Sequence, residues 1–130
     1  MPVLDAWPKA VRVVADILAP LGLVVGETGT DLQQQITTHG QVIRVRRVGG
    51  ADDGITDAAR IDVRVYAADL SDAEDTAEAV RQRLISKPWA TAHGVLDRAE
   101  TEVGPQETPS PDPEHYRVVS ATYRVSVRRR

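Results

Sequence analysis

The chain has 130 residues, of which 42% are hydrophobic and 27% charged, and a formal charge of −3. That is enough for one globular domain over residues 1–130, and it lacks the surplus of Lys and Arg on which a dedicated nucleic-acid binder depends. The absence of cysteine excludes a disulfide scaffold, a thiolate metal site and a cysteine nucleophile. No apolar run approaches the roughly 20 residues a membrane helix needs, and Met1–Asp5 does not open a basic-then-apolar leader. The expectation is a soluble intracellular protein with no membrane partner. Phenylalanine is absent, so the core has to be built from Val, Ile, Leu and Ala.

The first segment reads as a helix over about residues 8–19. Pro8 suits a first helical turn, where its missing N–H costs nothing. Val11, Val14, Ala15 and Leu18 then recur at helical spacing. Pro20 and Gly22 end it. Residues 22–40 hold four glycines and read as loop, with a short strand at Leu23–Val25. Gln41–Val48 reads as a strand, and Gly49–Asp57 as turn chemistry throughout. Ile61, Val63, Val65 and Ala67 alternate with polar residues, so 60–67 forms a second, half-buried strand antiparallel to the first.

Ser71-Asp72-Ala73-Glu74 has the spacing of a capping box, which predicts a helix over 71–86 with Ser71 as its cap. Its buried stripe is Ala73, Ala77, Val80 and Leu84. Residues 95–103 alternate weakly, with Val95, Ala99 and Val103 on one side. Gly104–Pro113 contains four prolines and reads as irregular. Tyr116–Arg128 closes the chain as a long strand with Val119, Ala121, Tyr123, Val125 and Val127 inward. The predicted fold class is α+β: a mainly antiparallel or mixed sheet with two principal helices packed on it.

No catalytic constellation appears. His39, His93 and His115 lie in or beside predicted loops, without a second ligand at helical spacing. Asp52, Asp53 and Asp57 lack calcium-loop spacing and read as a solvated turn. No enzyme activity, cofactor or metal is expected. Trp7 and Trp89 flank the two helices and read first as core packing, then as interface anchors. Arg44, Arg46 and Arg47 share one strand and Arg128–Arg130 end another. Three readings stand for such a strand: a solvated sheet face, ion pairing across a subunit interface, and contact with a DNA backbone. The acidic run Asp69, Asp72, Glu74, Asp75 and Glu78 opposes the third.

Four pieces, in order, carry a resemblance to a known family. They are Ile43-Arg44-Val45-Arg46-Arg47-Val48-Gly49-Gly50-Ala51-Asp52-Asp53, the stretch from Thr56-Asp57-Ala58-Ala59 to Tyr66-Ala67-Ala68, Arg98-Ala99-Glu100-Thr101-Glu102-Val103-Gly104-Pro105, and Arg117-Val118-Val119-Ser120-Ala121-Thr122-Tyr123-Arg124-Val125-Ser126-Val127-Arg128. From about residue 40 onward the chain resembles the tail terminator proteins of long-tailed, siphovirus-type phages, especially those of GC-rich actinobacterial hosts. The resemblance implies a structural virion protein, assembled in the host cytoplasm and located at the head-proximal end of the tail. There it would form a homo-hexameric ring that stops polymerisation of the tail tube protein and offers a joining surface to the head-neck connector. DNA would pass through the lumen without specific binding. A head-closure or tail-completion protein is the alternative. Open sheet edges can close such a ring through heterologous contacts. The expected contact residues are Arg44, Arg46 and Arg47 on the basic strand and Asp52, Asp53 and Asp57 in the acidic turn, each subunit presenting one set to each neighbour.

Overall fold

A computed structural model describes residues 9–52, 54 and 56–129. Trp7, Pro8, Asp53 and Arg130, on which some of the expectations above fall, lie outside the described residues. In chain order the elements are α1 (Ala10–Leu18), a 3₁₀ turn (Ala19–Leu21), β1 (Leu23–Val25), α2 (Leu32–His39), β2 (Gln41–Asp52), β3 (Asp57–Ala67), α3 (Leu70–Ile85), β4 (Trp89–Thr91), β5 (Gly94–Thr108) and β6 (Arg117–Arg128). The strands form one six-stranded sheet in the order β1-β2-β3-β6-β5-β4. All neighbours are antiparallel except β1 and β2. This is the α+β class expected.

The middle of the sheet is the β3–β6 pair, in unbroken antiparallel register from Asp57 opposite Val127 to Ala67 opposite Arg117. Alternation at period two puts Ala59, Ile61, Val63 and Val65 with Val119, Ala121, Tyr123, Val125 and Val127 on one face, and all are buried. Helices α1 and α3 cover that face and complete the main core. On α3 the predicted stripe of Ala73, Ala77, Val80 and Leu84 is buried as a set. On α1 the buried residues are Ala10, Val13, Val14, Ile17 and Leu18. The stripe is therefore rotated from the predicted one, with Val11 and Ala15 only half-buried, because Val13 and Ile17 compete for the same face. Tyr123 is fully buried with no hydrogen-bond partner for its hydroxyl among the described residues, and burial pushes its phenol pKa upward.

The structure departs from expectation in five further places. Residues 32–39 are a helix. Leu32 and Ile36, one turn apart, pack with Val42, Tyr66 and Val118 as a second cluster. These residues lie on the sheet face opposite α1 and α3. A parallel β1–β2 pair requires a crossover of a dozen or more residues, and α2 lies within it. The turn at 49–57 is far shorter than expected, since β2 and β3 stay paired out to Asp52 opposite Asp57. A bulge between Arg47 and Gly49 shifts the register. Gly50, at φ 111°, then lets the chain approach β3 where a Cβ would lie 2.0 Å from the Ala58 carbonyl oxygen.

At the start of α3 the cap is Asp69, whose Oδ1 accepts from the Asp72 amide at 2.9 Å. Ser71 falls inside the first turn, because an aspartate two residues earlier offers the same acceptor. The Asp69 carboxylate in turn raises the pKa of Asp72. Strand β4 was not anticipated. Strand β5 continues through Gly104 and Pro105 to Thr108, its register shifting between Leu96 and Arg98, Thr101 and Val103, and Val103 and Gln106. Those shifts absorb the proline and change which residues face inward: Leu96 is buried, and Val103 is 42% exposed.

The burial of the α3 stripe yields a direct expectation. Leu84→Ala removes a fully buried side chain and lowers unfolding free energy by about 2–5 kcal/mol, read by urea denaturation; a loss below about 0.5 kcal/mol is what a surface residue shows.

Candidate assembly surface

The face of the sheet away from α1 and α3 is polar over β2, β3 and β6. Arg44 and Arg46 on β2, Arg60, Asp62 and Arg64 on β3, and Ser120, Thr122, Arg124, Ser126 and Arg128 on β6 share it by alternation. Asp62 sits at the centre. Its Oδ2 accepts from Arg44 at 3.1 Å and lies 3.5 Å from Arg64 Nε. The Arg44 and Asp62 side chains are only 11% and 18% exposed, so this pair is shielded from solvent far more than an ordinary surface bridge. The Nε atoms of Arg44 and Arg64 are buried without a hydrogen-bond partner among the described residues. Further along, Arg60 and Arg124 both bind Glu102 of β5, and these contacts with Arg60 and Arg124 hold the Glu102 carboxyl below its ordinary range.

The predicted contact residues divide into two groups. Arg44 is bound to Asp62 as above. Arg47 points to the core face and grips Asp57 in a fork, at 2.5 and 2.8 Å, while its Nε donates to the Gly49 carbonyl at 3.1 Å. Asp57 is buried, at 5% exposure. The basic strand and the acidic end of the hairpin thus meet within one chain at Arg47 and Asp57. Arg46 is exposed and forms no ion pair among the described residues. The β2 backbone at Asp52 lies opposite Asp57. Sequence reasoning did not single out Asp62, Arg60, Arg64 and Glu102. The signal of the first three was present as Arg60-Ile61-Asp62-Val63-Arg64, charges of alternating sign on every second residue of one strand.

The histidines are peripheral. His93 Nδ1 lies 2.6 Å from Asp16, and His115 Nδ1 lies 2.8 Å from Asp112. No group of three or more potential metal ligands gathers among the described residues. No described helix is long and apolar enough to cross a membrane. Trp89 is half-buried against the core. Its Nε1 donates to the Arg83 carbonyl at 3.0 Å, and the Arg83 and Lys87 cations lie 4.5 and 4.3 Å from its ring centroid. The aromatic body packs inward and its polar edge is satisfied locally.

Two properties of the sheet bear on assembly. Strand β1 covers only Val42–Arg44 of β2, and β4 covers only the stretch near Gly94–Leu96 of β5. The rest of β2 and β5 has no strand on its outer side among the described residues. The fold is thus a single α+β domain with a charged sheet face and long open edges among the described residues. The profile of the phage tail termination protein family matches residues 6–130. The chain therefore belongs to that family of structural phage tail proteins. No curated protein sequence matches it. Among solved structures it is similar in fold to a chain of the "Virion of native gene transfer agent (GTA) particle", at a TM-score of 0.53 and 16% identity, over 96% of this chain and 94% of that one.

The charge geometry separates two neighbouring arginines. Arg44→Glu removes the shielded partner of Asp62 and sets a carboxylate beside it, at an expected cost of about 1–3 kcal/mol, whereas Arg46→Glu, exposed but directly opposite Asp62 in the strand register, is expected to cost less, about 0.2–1 kcal/mol; thermal unfolding of both variants measures the difference. The Asp112 carboxylate raises the His115 pKa above its ordinary 6.5. This pair contributes stability below that value, and the contribution is lost as pH rises through the folded pKa. Proton NMR titration should show His115 titrating above 6.5 and Asp112→Asn bringing it back.

Proposed function

We propose that this protein is a tail terminator in the full sense: a ring, of six copies, seated on the head-proximal end of the tail tube. The ring stops addition of tube subunits and presents a joining surface to the head-neck connector. DNA passes through its lumen without sequence-specific contact. The virus is a siphovirus-type phage of a GC-rich actinobacterial host, or its prophage, and assembly takes place in the host cytoplasm. Catalysis and cofactors have no part in this role.

The observation that carries the reading is family membership over residues 6–130, on a domain whose fold is also found in a virion particle. The physical chemistry of the chain supports it. A cap on a polymer has to bind its own copies and two unlike partners, and a sheet with open edges, charged faces and polar loops offers separate surfaces for each. We also propose that the β2–β3 hairpin is partner-facing. Arg46, Asp52 and Asp53 would lie at the contact. Arg44, Arg47 and Asp57 would hold the hairpin in shape from within.

The test is electron microscopy of tubes assembled from the tail tube protein with and without this chain. Tubes of defined length bearing a terminal ring are expected with it, and overgrown tubes without it. Tubes of normal length that fail to join heads in its absence would mean a head-closure or tail-completion protein instead. Arg46→Glu, folded by circular dichroism, should weaken capping, and the lengthened tubes would show it.

A further inference from the structure

We infer that neighbouring copies join by adding the open edge of β2 to the open edge of β5, so that one continuous sheet runs through the assembly. This deepens the ring reading above and rests on it. The edges themselves are the first observation. Past Arg44, β2 runs to Asp52 with no outer strand, and past Leu96, β5 runs to Thr108 in the same condition, among the described residues. Unpaired backbone N–H and C=O groups in such rows are a template for another strand.

The directions of the strands fit. Strand β2 is antiparallel to β3, β3 to β6, and β6 to β5. It follows that β2 and β5 run in opposite directions. A second copy placed in the same orientation beside the first sets its β2 antiparallel to the first copy's β5. The contact uses two different edges at opposite sides of the sheet, which is the heterologous geometry that closes into rings.

The two edges differ in formal charge. Strand β2 carries Arg44, Arg46 and Arg47 against Asp52, and β5 carries Asp97, Glu100, Glu102 and Glu107 against Arg98. Most of these groups are paired within the chain, Arg44 with Asp62, Arg47 with Asp57, Asp97 with Arg128, Glu100 with Arg98, Glu102 with Arg60 and Glu107 with Arg117, so charge contributes to the contact chiefly through the exposed Arg46 of β2. Apolar surface points to the same two edges. Of the exposed large hydrophobic side chains, Val48 at 51% lies at the β2 bulge and Val103 at 42% lies at a β5 register shift. The bulges limit how far either edge can zip. They leave a short strand pair flanked by an apolar contact, which suits a closing ring better than runaway edge-to-edge growth.

The absence of cysteine makes the test clean. Val48→Cys, Val103→Cys and the double variant are prepared in the full chain, assembled on tail tubes and treated with a short homobifunctional maleimide. Denaturing gels read the cross-links, and electron microscopy reads the rings independently. Both side chains are exposed, so the substitutions leave the fold intact, checked by circular dichroism. The double variant should give a ladder of multimers. Each single variant should stay monomeric, and an equal mixture of the two should stop at dimers. Dimers from Val48→Cys alone would overturn the inference in favour of a like-edge contact. Rings visible on tubes without cross-linking of the double variant would overturn it while leaving the ring reading intact. Tubes without rings would remove both.

Discussion

The register of the central β3–β6 pair governs the rest of this molecule. Its alternation assigns Ile61, Val63 and Val65 with Val119, Tyr123 and Val125 to one face, and Arg60, Asp62 and Arg64 with Thr122 and Arg124 to the other. A slip of one residue would exchange the faces, burying five or so charged and polar side chains under α1 and α3 and exposing the valines; the cost of that exchange, at about 1.5–3 kcal/mol for each large apolar side chain and more for each unpaired charge, leaves one register open. The helices then have one place to go. The stripe on α3 matches the apolar face in length and composition, and α1 fills what remains beside it.

The polar face would be an ordinary solvated surface if its charges were dispersed. They are instead paired across strands. Asp62 holds Arg44 from the neighbouring strand, Glu102 of β5 holds Arg60 of β3 and Arg124 of β6, and Arg128 holds Asp97. On the core face the Arg47–Asp57 fork joins the two strands near the far end of the hairpin. Exposed pairs contribute little individually, but these link β2 to β3 and β3 and β6 to β5. They tie together a long sheet whose ends extend beyond its core. They also engage most of the arginines within the chain, which leaves Arg46 as the one on β2 without an ion pair among the described residues.

What a family of tail-ending proteins asks of a fold is consistent with this layout. The core and one helical face make a stable unit. The second cluster under α2 protects one corner of the opposite face. The outer parts of β2 and β5 have no strand covering them among the described residues. On the proposed edge-to-edge reading, stability and assembly would fall on different parts of the same sheet, and contacts at an edge would leave the packing beneath α3 undisturbed.

Periodic elements were legible in the residues themselves. The stripe of α3, the alternation of β3 and β6 and the start of the β2–β3 hairpin each follow from local patterns that repeat at the spacing of the element. The α+β class and the likeness to tail terminators followed from their order. Other features depended on partners distant in sequence. Helix α2, with only Leu32 and Ile36 apolar among glutamines and threonines, is held by Val42, Tyr66 and Val118, which its own residues do not announce. Strand β5 passes through Gly104 and Pro105 because β6 supplies a continuous ladder and bulges absorb the misfit. The basic strand and acidic turn looked like complementary surfaces for two neighbours. The tertiary structure brings Arg44 to Asp62 and Arg47 to Asp57 within the chain, because antiparallel pairing folds the hairpin back on itself. Local spacing determines which face a residue takes; only the pairing of strands decides which charge it meets there.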